Sequence, residues 1–176
     1  MELLYGYSAI CFSKYLLDNG KIDTIEIDEQ RAEIARENIS KMELSEKINL
    51  MVGNALEILP TLEEKYDYVF IDAAKSKYPM FLKEAIRLVK LDGIIFADNI
   101  LYKGYVLGDY NKHKQRTAVN HLREYINEIR MNDKLETKIL EVGDGLGISK
   151  RIKWNYFILF AYLEDKNNLL HLNNHL

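Results

Sequence analysis

Two apolar runs, Tyr66–Ile71 (YDYVFI) and Ile94–Ala97 (IIFA), each stop at an aspartate. The first meets Asp72, and the second meets Asp98 followed by Asn99. The first reads as a strong strand, and the second, nearly all apolar, is expected of a central parallel strand covered on both faces. Between them lies a helix-like stretch to about Val89, with Pro79 in its first turn, where a missing N–H costs little. Leu91-Asp92-Gly93 reads as the turn before the second strand. Parallel neighbours need a crossover between them. A strand–helix–strand unit therefore restricts the topology more than any other pattern in this chain.

The alternation extends in both directions. Gly6 to Asn19 reads as a helix closed by Gly20. Ile22–Ile27 (IDTIEI) alternates apolar and polar residues and reads as a strand. Asp28 is placed to cap a helix from Glu29 to about Met42, with Ala32, Ile34, Ala35 and Ile39 on its apolar side. Lys47–Val52 is a short strand, and Asn54 opens a short helix that Pro60 ends. After a loop with Gly104 and Gly108, a long helix runs from about Lys114 to Met131. Leu135–Val142 and Leu146–Ile152 read as strands joined by Gly143-Asp144-Gly145. The expected fold is α/β: a Rossmann-like, doubly wound, mostly parallel sheet with an antiparallel C-terminal hairpin. One domain is expected over residues 1–153, with 154–176 an extension of unknown role.

Composition narrows the function. Of 176 residues, 48% are hydrophobic and 29% charged, with a formal net charge of −3. Nucleic-acid binding has no global electrostatic support and would need a local basic patch. Lys103, Lys112, His113, Lys114 and Arg116 offer one such patch, and Lys150, Arg151 and Lys153 another. Taken alone, both read as ordinary solvated charges. Cys11 is the one cysteine. It excludes an intrachain disulfide, reads as a buried structural thiol and fits a reducing, cytoplasmic setting. Met1-Glu2-Leu3 lacks a basic leader, and no run of about 18 apolar residues suggests a membrane span. His113, His121, His171 and His175 show no ligand spacing and read as surface residues.

In doubly wound sheets, ligands bind beyond the carboxyl ends of the strands. Glu26, Gly53-Asn54, Asp72 and Asp98-Asn99 all fall at or just after such ends. An acidic residue ending the second strand of a nucleotide-binding unit takes ribose hydroxyls. Glu26 holds that place, and Asp28 reads better as a helix cap. Asp72, Asp98 and Asn99 present two carboxylates and an amide oxygen, donors that suit a hard cation such as Mg²⁺. Helix capping is the alternative for the two aspartates. Lys75, three residues past Asp72, is placed to accept or steer a proton, the alternative being a surface lysine.

The segment Tyr66–Gly104 resembles the cation-dependent, S-adenosylmethionine-dependent O-methyltransferases of the catechol and caffeoyl-CoA type. FIDAAKSKY, LDGIIFADN and, further on, VGDGLGISK (Val142–Lys150) carry the likeness. Gly6-Tyr7-Ser8 resembles the end of the family's glycine-rich loop. Within the family, DNILYKG and VGDGLGISKRIK are most similar to bacterial tRNA 5-hydroxyuridine methyltransferases. The resemblance implies Asp72, Asp98 and Asn99 as ligands of Mg²⁺ or another divalent cation. It implies Lys75, with Asp72, in catalysis. For the cofactor it implies Glu26 at the ribose, Gly53, Asn54 and Ala55 beside the adenine, and Gly6, Tyr7, Ser8 and Asp72 toward the methionine portion.

The expected activity is methyl transfer to an oxygen, with 5-hydroxyuridine of a tRNA anticodon loop as substrate. A small catechol-like or caffeoyl-CoA-like phenol is the alternative, for which an apolar lid is expected; Tyr102, Tyr105 and Tyr110 are placed either to form part of one or to stack on a base. The family's first strand and N-terminal helices precede the position of Gly6, where this sequence has only MELLY. The chain is thus expected to be N-terminally truncated. A non-catalytic remnant or binding module is therefore a further alternative, and oligomeric state, a homodimer included, stays open.

Overall fold

The computed structural model describes residues 5–108 and 115–153. The chain divides into two compact units, Met1–Glu63 and Glu64–Leu176.

The first unit contains α1 (Tyr7–Ser13), β1 (Ile22–Glu26), α2 (Glu29–Lys41), β2 (Ile48–Val52) and α3 (Ala55–Ile58), then a 3₁₀ turn, Leu59–Thr61, that holds Pro60. β1 and β2 pair in parallel, with Ile22 opposite Ile48 and Glu26 opposite Val52. Asp28 is extended, and its side chain accepts the Arg31 amide at 2.9 Å, the expected cap of α2. Ala32, Ala35 and Ile39 are buried at helical spacing. Ile34 departs from expectation: it faces outward, 42% exposed. Ala9, Ile39 and Ile48 form the core of this unit.

The helix expected to reach Asn19 ends at Ser13. The Ser13 hydroxyl donates to the Ile10 carbonyl at 2.8 Å. Beyond it, the amides of Lys14, Tyr15 and Leu16 each reach back only three residues. Local side-chain bonding of this kind competes with helix propagation. Gly20 closes a separate turn, its amide donating to the Leu17 carbonyl. Cys11 is half-buried, not the fully buried thiol expected.

The second unit contains β3 (Tyr66–Ile71), α4 (Tyr78–Leu88), β4 (Val89–Ala97), α5 (Arg116–Met131), β5 (Leu135–Leu140) and β6 (Leu146–Arg151). Its strands lie in the order β3-β4-β6-β5. β3 and β4 are parallel, and β6 runs antiparallel to β4 and β5, as the expected hairpin. Val89 opens β4 instead of closing α4, and the turn expected at Leu91-Asp92-Gly93 is built into the same strand. The register passes from Tyr66–Val89 to Tyr68–Ile94, so these residues loop out of the ladder, with Asp92 at φ 64°. Tyr78, Phe81, Leu82, Ala85 and Leu88 give α4 a buried stripe at helical spacing. Val119, Leu122, Tyr125 and Ile129 do the same for α5. Fully burying a side chain of the Val, Leu, Ile or Phe class contributes about 1.5–3 kcal/mol, so these stripes hold both helices in place. Residues 154–176, the expected extension, lie outside the described residues.

Candidate active site

The register of the second unit places its strand-end residues side by side. Ile71 pairs with Ala97, the last residues of β3 and β4, so Asp72 and Asp98 leave the sheet as neighbours. The Asp98 amide donates to the Ile71 carbonyl at 3.0 Å, extending the ladder one step. Asp98 Oδ1 accepts the Asn99 amide at 2.7 Å, and Asn99 turns into the left-handed region at φ 54°. Asparagine tolerates that conformation better than most residues.

Lys75 opens the 3₁₀ turn Lys75–Lys77 and folds back over these ends. Its Nζ lies 3.4 Å from Asp72 Oδ1, 3.4 Å from Asn99 Oδ1 and 3.1 Å from the Asp98 carbonyl. Lys75 is not the surface lysine of the alternative, since its side chain is only 16% exposed. Burial lowers its ammonium below the ordinary lysine range, while Asp72, Asp98 and Asp144 pull it back up. Asp72, Asp98, Asn99 and Lys75 are thus brought together within one unit. Among the described residues, no group of three His, Cys, Asp or Glu is set to hold a metal. Any cation here would rest on two carboxylates and an amide oxygen.

Three features of this site went unread in the sequence. Tyr78 lies directly beneath Lys75, its hydroxyl 2.6 Å from Nζ. The Lys-x-x-Tyr spacing at a helix start could have signalled it. The turn Gly143-Asp144-Gly145 buttresses the loop after Asn99. The Asp144 and Gly145 carbonyls accept the amides of Leu101 and Ile100 at 2.9 and 3.0 Å, and Asp144 Oδ1 accepts the Lys103 amide. Gly145 has φ +87°, and a Cβ there would meet Leu101 Cγ at 2.3 Å, so only glycine fits. Finally, Arg123 of α5 clamps the same loop by donating to the carbonyls of Tyr105, Val106 and Gly108. Tyr102 and Tyr105 of this loop meet edge to face, 5.8 Å between centroids.

The first unit gathers another set. The Gly53 amide donates to the Glu26 carbonyl at 2.9 Å, joining the ends of β1 and β2. Glu26 Oε1 accepts the Asp28 amide at 2.9 Å and Arg31 Nη2 at 2.7 Å. Asn54 Oδ1 caps α3 through the Leu56 amide at 3.0 Å, and its Nδ2 donates to Glu57, so both ends of this amide are engaged. Ala55 is the first residue of α3. Gly6, in the left-handed region at φ 81°, stands at the N-cap of α1, where Tyr7 and Ser8 follow. A Cβ on Gly6 would press on Ala35 Cβ at 3.3 Å.

The basic patches fare unequally. Lys150 pairs with Asp92 at 2.8 Å, and Arg151 donates to the Val89 carbonyl, so both heads are engaged within the fold. Tyr110, Lys112, His113 and Lys114 lie outside the described residues, as do His171 and His175. His121 is half-buried with an unpartnered Nδ1, not the surface histidine expected. No described helix is long and apolar enough to cross a membrane.

Comparisons with known proteins give the class of α/β fold that carries this arrangement. Residues 1–152 match the model of the O-methyltransferase family, and the chain belongs to that family. Among curated proteins, it is 32% identical over 143 residues to a catechol O-methyltransferase of Niastella koreensis, covering 79% of this chain. It is 34% identical over 157 residues to caffeoyl-CoA O-methyltransferase 2 of Eucalyptus globulus, covering 84% of this chain. The chain spans 63% of the length of each of these relatives. Among solved structures, it is similar to an O-methyltransferase from Bacillus cereus in complex with SAH, at 27% identity and TM-score 0.76. That match covers 84% of this chain and 70% of the other. The fold is thus the α/β, Rossmann-like fold of these methyltransferases, as expected, with β1–β2 and β3–β4 parallel and β6 antiparallel to its neighbours.

Proposed function

We propose that this chain is an S-adenosylmethionine- and divalent-cation-dependent O-methyltransferase acting on a substrate with two adjacent oxygens, of the catechol class. The carrying observation is the convergence of Asp72 Oδ1, Asn99 Oδ1 and the Asp98 carbonyl on one ammonium, Lys75 Nζ. Two of these, Asp72 Oδ1 and Asn99 Oδ1, are side-chain oxygens that already accept a cation from their own chain, and with the neighbouring Asp98 carboxylate they are hard donors of the kind Mg²⁺ takes. Asp72, Asp98 and Asn99 would hold the ion, which when bound acidifies a substrate hydroxyl and fixes its direction. Lys75 Nζ, its basicity lowered by burial, is suited to steer the proton leaving that hydroxyl. S-adenosylmethionine would supply the methyl group. In the first unit, Glu26 uses Oε1 for Arg31 and Asp28, which leaves its other oxygen to accept a ribose hydroxyl. Gly53, Asn54 and Ala55 would border the adenine, and Gly6, Tyr7 and Ser8 the methionine portion.

Support for the catechol class comes from the relatives' names and from the engagement of Lys150 and Arg151 within the fold. A second substrate is 5-hydroxyuridine in a tRNA anticodon loop, whose 5-oxygen and 4-carbonyl offer the same chelating pair. The DNILYKG and VGDGLGISKRIK segments favour it. The test is methyl transfer from S-adenosylmethionine to a catechol and to tRNA bearing 5-hydroxyuridine, with Mg²⁺ and then with a chelator. Transfer to the catechol that stops on chelation is expected. Transfer only to the tRNA would replace the substrate class. Bound cofactor with no transfer to either would identify a binding module.

A further inference from the structure

We propose that Tyr78 is the positioning residue that fixes Lys75 against the ends of β3 and β4. This inference rests on the proposed role of Lys75. Tyr78 is fully buried, and its hydroxyl is the nearest described partner of Lys75 Nζ, at 2.6 Å. An ammonium can only donate, so Lys75 donates to the tyrosine oxygen. The tyrosine's own proton then goes to a carbonyl. Asp98 O at 2.8 Å is better placed than Ile71 O at 3.3 Å. Both carbonyls belong to the strand ends that carry the candidate ligands. One hydroxyl therefore ties the lysine to the backbone turns that present Asp72 and Asp98.

Rigidity comes from below. The Tyr78 ring packs edge-on against Tyr125, 5.4 Å between centroids at 78°. Tyr125 is fully buried in α5. The ring of Tyr78 also underlies the lysine head, with Nζ 4.8 Å from its centroid. A flexible lysine chain is thus aimed by a side chain with two torsions, both fixed by packing.

The test compares the full wild-type chain with Tyr78→Phe, Lys75→Met and the double variant. With catechol as substrate, Tyr78→Phe is expected to lower kcat by about 10–100-fold while leaving KM unchanged. In the Lys75→Met background it should add nothing, because it acts through the lysine. A second readout needs no turnover: the ¹⁵Nζ resonance of Lys75, assigned by its loss in Lys75→Met. It should stand apart from exposed lysines in the wild type and move onto them in Tyr78→Phe. An unmoved resonance, effects that add independently, or loss of the fold in Tyr78→Phe would each overturn the proposal. A wild type that transfers no methyl group would defeat the functional reading, while the resonance would still decide the role of Tyr78.

Discussion

The two units use the same device, a parallel strand pair with polar residues at its carboxyl ends, and back it with unequal cores. In the first, alanines dominate the buried set: Ala9, Ala32 and Ala35 beside Ile39 and Ile48. In the second, large side chains are fully buried, among them Tyr78, Leu82, Leu88, Ile95, Leu122 and Tyr125. The difference matches the role proposed for each end. Catalytic donors need fixed geometry, and a dense core supplies it. A cofactor pocket can rest on a thinner core, because binding to the folded state itself adds stability.

That contrast can be broken at its strong side first. Asp98→Ala removes a candidate ligand together with the acceptor of the Asn99 amide. Outer-shell partners of metal sites alone are worth about 10–100-fold, so turnover should fall by more than about 100-fold. Circular dichroism should show the fold retained, and unfolding would point to a structural role instead. Lys75→Met should reduce kcat by about 10²–10⁴-fold, the range of a positioned proton-transfer group. A rate within a factor of about three of wild type would make the lysine a structural counter-ion.

The cores themselves come next. Leu122→Ala should lower unfolding free energy by about 2–5 kcal/mol, with Ile39→Ala at the low end of that range, both read by denaturant titration. Equal losses would remove the asymmetry. The smallest effect is expected at Arg31→Met, which frees Glu26 Oε1 from its 2.7 Å partner. Calorimetry with S-adenosylhomocysteine should show binding weakened by less than about tenfold. No change would separate Arg31 from the cofactor end altogether.

Much of this was legible in the sequence because strand ends are announced by a change of chemistry. YDYVFI-Asp72 and IIFA-Asp98 run from apolar to anionic in one step, and the register then forces the two aspartates side by side. Asp28 and Asn54 announced their helices by the same logic of capping. What stayed hidden depends on contacts distant in sequence. Nothing local says that Asp144 will take the Lys103 amide, or that Arg123 will reach three carbonyls of the preceding loop. The Tyr78 hydroxyl gains its meaning only where two strands end. α1 stops at Ser13, short of the Gly20 that reads as its close, where the Ser13 hydroxyl bonds locally to the Ile10 carbonyl.

The account turns on whether the ends of β3 and β4 hold a divalent cation, and Mn²⁺ titration followed by the paramagnetic resonance of the free ion tests it most directly. Wild-type protein should remove one equivalent of Mn²⁺, Mg²⁺ should displace it, and Asp98→Ala should remove none. Equal uptake by wild type and Asp98→Ala, or no uptake by either, would contradict the assignment of Asp72, Asp98 and Asn99.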